Sequence, residues 1–229
     1  MGPACPHPGT ALILNGVNGL CSLRRAAFIV ALLAGALPSA YYGFTSAWSD
    51  FSLLKTNWNV MQWQEGKLAL PSAVELGKAR NALSNALMVT PGNPMIHEDL
   101  GYLYGVRATK ASGIPELRNA MLSQSLAYFR SAAVLRPMSP HTWANIALAN
   151  HYLGTVGPEF WDAFDRSLNY GRNEFSVQST LAEIGFSRWQ ELSDVRRKAL
   201  LATISEAPDN SRKTFAAIAA RYHRSELEL

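Results

Sequence analysis

Apolar and polar positions along this chain recur mostly at helical spacing. Residues Ala26 to Phe44 form its strongly apolar run and hold no charged side chain. At about 1.5 Å of rise per residue, a helix of that length reaches across a bilayer's hydrocarbon core. Beyond it, Phe51, Leu54, Trp58 and Met61 keep one helical stripe among polar neighbours, which predicts a helix continuing outward through a juxtamembrane stretch, residues 45–70.

From Pro71 on, start and stop signals recur in pairs. Ser72 and Glu75 have capping-box spacing and open a helix that ends before Pro91. Pro94 opens the next, running to about Lys110, and Ala111 to Pro115 is a loop. A helix over Glu116–Arg136 stops at Pro137. Ser139-Pro140 reads as an N-cap followed by proline at the first helical position, and that helix ends at Gly154. Pro158 opens another that ends near Gly171; Ser193 and Asp209 read as caps of the last two. No segment reads as a strand.

The helices also repeat in phase. Ala79, Leu83, Ala86 and Pro91 carry the small–large–small–proline spacing of a second hairpin helix. Leu100, Gly101 and Tyr104 fit the first helix of the following unit, and Ser125, Phe129, Ala132 and Pro137 repeat the second-helix pattern. Trp143, Ile146 and Ala147 begin the next unit. The logic is steric: small residues let two helices cross closely and large ones fill the layer between them. On these residues the chain resembles the tetratricopeptide repeat family over about residues 72–170, and more weakly to the C-terminus. The stretch Thr109–Pro115 departs from the strict repeat length. The expected fold is all-α: a tetratricopeptide-like solenoid of stacked helical hairpins over residues 71–229, preceded by one transmembrane helix at 26–44 and a tail at 1–25. Leu83, Tyr104, Phe129 and Trp143 are expected to share one buried layer.

The segment Arg136-Pro137-Met138-Ser139-Pro140-His141-Thr142-Trp143-Ala144-Asn145, with the single N-terminal anchor and a repeat domain of this size, resembles the VpsP-type proteins of bacterial polysaccharide biosynthesis. The resemblance implies a role in making or exporting an exopolysaccharide, with partners in the envelope assembly or export complex. A general envelope assembly factor and a glycan-modifying enzyme are the alternatives.

Charge sets orientation. Arg24 and Arg25 precede the apolar run, and Lys55 is the first basic residue after it. An excess of positive charge marks the cytoplasmic side, which places the repeat domain outside the cytoplasmic membrane, on the periplasmic side. Tyr41, Tyr42 and Trp48 suit the far lipid–water interface. Ala34-Gly35-Ala36 has the small-x-small form of a leader cleavage site, so a cleaved leader competes with a retained anchor. Net charge is +4, without the concentrated basic stripe that nucleic acid requires. The two cysteines, Cys5 and Cys21, precede the apolar run, so the remainder can form neither a disulfide nor a thiolate metal site.

No catalytic, cofactor or metal site is expected. His97-Glu98-Asp99 lacks a second histidine four residues on, as a zinc-protease helix would have. Asp162 and Asp165 lie one turn apart, as a metal-bound sugar nucleotide would require, but no glycine-rich phosphate loop accompanies them. A solvated helix face explains them better. In a tetratricopeptide-like superhelix the first helix of each pair lines the concave groove. By that phase Glu98, Tyr102, His141, Ala144, Leu148 and His151 are the candidate partner contacts. The family's peptide-carboxylate clamp needs lysine and asparagine where Glu98 and Ala144 stand, which disfavours a peptide C-terminus as ligand.

Overall fold

A computed structural model describes residues 9–224. Among these the chain forms nine α-helices, one 3₁₀ turn and no strand. They are α1 Gly9–Gln64, α2 Ala73–Val89, α3 Pro94–Lys110, α4 Pro115–Leu135, α5 Pro140–Leu153, α6 Pro158–Tyr170, α7 Phe175–Ser187, α8 Asp194–Ser205 and α9 Asp209–Arg221. The protein is all-helical. Of the expected tail, residues 1–8, with Cys5 and His7, lie outside the described residues, and from Gly9 the backbone is already helical. The chain divides into two units, one ending at Ser52 and the other beginning at Leu53.

In the first unit the apolar residues Phe28 to Phe44 are exposed to whatever surrounds them. α1 is, among the described residues, the helix long and apolar enough to cross a membrane. Pro38 lies within it without ending it.

The second unit is built by local chemistry. Ser72 caps α2: its hydroxyl accepts from Glu75 N–H while its own N–H donates to the Glu75 carboxylate at 2.8 Å. Asn93 caps α3 and Ser139 caps α5, each followed by proline at the first helical position. Gly154 ends α5 with φ +72°, a left-handed conformation that glycine adopts without a Cβ clash. Ser193 caps α8 as expected, but at α9 Pro208 holds the N-cap position and Asp209 is already helical.

Successive helices pack on one another from α2 through α8, and α5 packs on α7, α7 on α9, and α6 on α8. Two apolar clusters form the core. One joins Leu53, Val60 and Trp63 of α1 to Leu76 and Leu83 of α2 and Ile96, Leu100 and Leu103 of α3. The other runs through α4–α9 around Phe129, Phe160, Phe164, Leu181 and Phe215. The expected single layer is thus two clusters, with Leu83 in one and Phe129 in the other. Tyr104 and Trp143 are only half-buried. Tyr104 stacks on Tyr128, with ring centroids 5.5 Å apart. The Trp143 indole N–H donates to the Pro137 carbonyl at 2.7 Å, and the Arg166 guanidinium covers its ring at 4.5 Å. Its ring still packs against the second cluster from the rim, with its N–H satisfied.

Candidate functional site

Two of the candidate groove residues border the same space. Tyr102 on α3 and Leu148 on α5 both line a cavity of about 540 Å³, a size that suits a small ligand or a few side chains of a partner. α4 closes one side with Leu122, Ser125 and Phe129. The wall is mainly apolar, and Arg118 is its charged residue; the Arg118 Nη2 donates to the Tyr152 carbonyl at 3.0 Å. Gly101 and Ser125 bring α3 and α4 close together: Ser125 Oγ donates to the Gly101 carbonyl at 2.7 Å, a bond that a larger side chain at 125 would displace.

The other candidates serve elsewhere. Glu98 is half-buried and fastens α3 to the start of α5. It accepts from the Thr142 hydroxyl, from Ser139 Oγ at 3.2 Å and from Arg136 at 3.5 Å. Ala144 is buried in the second cluster and presents nothing to a partner. His141 is exposed, with Nδ1 3.2 Å from Ser176 Oγ. His151 Nδ1 accepts from Arg188 Nε at 2.8 Å, so its remaining proton sits on Nε2. Burial, then the Arg188 charge, hold the His151 pKa below the usual imidazole value. Of the six, the structure therefore unites Tyr102 and Leu148 around one space and gives Glu98 a fastening role.

The carboxylates Asp162 and Asp165 are each paired. Arg166 Nε donates to Asp162 at 2.9 Å, and Arg196 binds Asp165 through two bonds of 2.8 Å while stacking on Trp161 at 4.5 Å. His97 Nε2 lies 2.9 Å from the Pro91 carbonyl. Among the described residues no group of three or more His, Cys, Asp or Glu side chains is placed to hold a metal ion.

Asp99, weighed in the sequence only as part of the His97-Glu98-Asp99 triplet, has an environment of its own. Asp99 is buried, and its Oδ1 accepts from Gln64 Nε2 at 3.4 Å. Burial, with the neighbouring Glu98 charge adding to it, raises its pKa to about 7; the Gln64 bond opposes this. The signal was present in the spacing: Ile96, Asp99, Leu100 and Leu103 share one helix face.

Among the described residues these features define an all-helical chain with one apolar helix long enough to cross a membrane and a cavity between its helices. No protein-family model, no curated protein and no solved structure matches the chain.

Proposed function

We propose that this chain is a membrane-anchored scaffold whose second unit is a tetratricopeptide-like array of helical hairpins. The apolar part of α1 is its single span, the helical domain lies on the periplasmic side of the inner membrane, and the cavity lined by Tyr102 and Leu148 receives a segment of a protein partner. The process it serves is assembly or export of a bacterial exopolysaccharide, as the Arg136–Asn145 segment suggests.

The single observation that carries the reading is the shared cavity. α3 and α5, the first helices of successive expected hairpins, both contribute to its lining, as first helices do in a solenoid with a concave binding face. The packing of α5 on α7 and α7 on α9 supports the same arrangement. Tethering supports the role, since it raises the local concentration of the cavity near envelope partners. Of the 56 residues of α1, a span needs only about 20.

Site-specific photo-crosslinking in cells tests it. A benzophenone side chain replacing Tyr102 or Leu148 should yield the same adduct, and one replacing the exposed Val195 on α8 should not. Equal adducts at all three positions, or none at Tyr102 and Leu148, would refute a cavity that holds a partner.

A further inference from the structure

The cavity shared by α3, α4 and α5 has a direction. Along α4 its lining residues are Arg118, Leu122, Ser125 and Phe129, at steps of four, three and four. That spacing keeps them on one face of the helix, spread over about 16 Å of its length. Leu122, Ser125 and Phe129 are buried and Arg118 is half-buried. Arg118 therefore stands at one end of the wall. Among the described residues no carboxylate and no second cation lines the cavity with it.

Pairing sets this arginine apart from its neighbours. Further along α4, Arg130 lies against Glu159 at 2.6 Å, and just past the helix Arg136 lies against Glu98 at 3.5 Å. Among the described residues Arg118 has no carboxylate partner. Its bond to the Tyr152 carbonyl, in the last turn of α5, holds the guanidinium in place without neutralising it. The remaining N–H donors form a planar fork that matches a carboxylate. A cation partly withdrawn from water beside an apolar wall favours an occupant that supplies the anion.

We propose, on the reading that this cavity holds a partner segment, that the segment is an apolar stretch bringing one aspartate or glutamate side chain to Arg118. Charge complementarity selects this occupant. A lysine or arginine at that end would meet a like charge, and a wholly apolar segment would leave the guanidinium desolvated without compensation. Tyr102 and Asn145 bring a hydroxyl and an amide to the lining. These can bond a peptide backbone, and an acyl chain would strand them.

Photo-crosslinking in cells, with Leu148 of the full chain replaced by a benzophenone amino acid, tests the charge. Arg118→Gln keeps an N–H donor for the Tyr152 carbonyl and removes the cation. It should lower the adduct yield several-fold at equal abundance and equal helical content. Arg118→Lys, which keeps the charge, should retain more of the yield. Lys213→Gln, which removes a charge from an exposed position on α9, should change nothing. Sequencing of the adduct by mass spectrometry, a readout that needs no substitution at 118, should find Asp or Glu within a few residues of the cross-link. A yield undiminished by Arg118→Gln, or a captured segment without an acid there, would overturn the acidic occupant and leave the cavity a partner site. No adduct with Arg118 intact, or an adduct to lipid, would overturn both.

Discussion

Gly101 on α3 lies under the ring of Phe129 on α4, so close that a Cβ at position 101 would come within 2.7 Å of Phe129 Cε1. Phe129 is itself buried and has little room to withdraw. Gly101→Ala should therefore destabilise the domain by about 1–2 kcal/mol, overpacking outweighing the better helix propensity of alanine. One turn on, Gly105 faces only Ser125 Oγ, at an ordinary 3.6 Å. Gly105→Ala should be neutral or stabilising by up to about 1 kcal/mol. Urea unfolding of the full chain in mild detergent, followed by circular dichroism, distinguishes the two.

Asp99 should make stability depend on pH. Its pKa in the folded chain, about 7, is above the model-peptide value. The folded state thus holds this proton where the unfolded state has released it. The stability tied to the neutral carboxyl is complete below the unfolded value and declines as pH rises from about 4 to about 7, then levels off. The loss is at most about 4 kcal/mol, at about 1.4 kcal/mol per unit. Asp99→Asn should remove most of this slope, read as the difference between wild-type and variant unfolding curves across that range. Parallel pH profiles would contradict the assignment.

Glu98 fastens α3 to α5 through Ser139 and Thr142. Glu98→Ala should cost about 1–3 kcal/mol by leaving these hydroxyls without their charged acceptor. It should also lower the Asp99 midpoint, because the neighbouring negative charge is gone. A carboxyl ¹³C titration by NMR measures that midpoint directly, and an unmoved midpoint would exclude the coupling.

Asp165→Asn should cost only about 1 kcal/mol, because the Arg196 pair is partly exposed. Asp162→Asn should cost less, its pair being a single i,i+4 contact at the surface. The double variant, still folded by circular dichroism, should support normal polymer production in cells. A folded double variant that abolishes production would revive the transferase reading.

The helix boundaries were legible because Ser72, Pro94, Ser139, Pro140 and Gly154 act through bonds and dihedral limits within a turn of themselves. Residues whose role depends on a distant partner were less so. Trp143 sits at a helical core spacing and packs against the second cluster, yet its N–H reaches Pro137 and its ring takes Arg166, so it stays half-buried. Glu98 could be phased to the inner face of α3, but not paired with Thr142, which is 44 positions away. The repeat phase likewise set Tyr102 and Leu148 on groove-lining first helices without revealing that Ala144, on the same helix as Leu148, is consumed by the core. At α9, Asp209 had the chemistry of a cap, and the preceding proline took the position instead.

On the proposed function, a partner segment occupies the cavity lined by Tyr102 and Leu148. Leu148→Trp narrows that space from a half-buried position that can direct the added ring into the cavity. In cells lacking the native gene, extracellular polysaccharide should return with the wild-type chain and fail to return with Leu148→Trp, at equal abundance and equal helical content. Full recovery with the folded variant, or unchanged polymer on deleting the gene, would contradict the account.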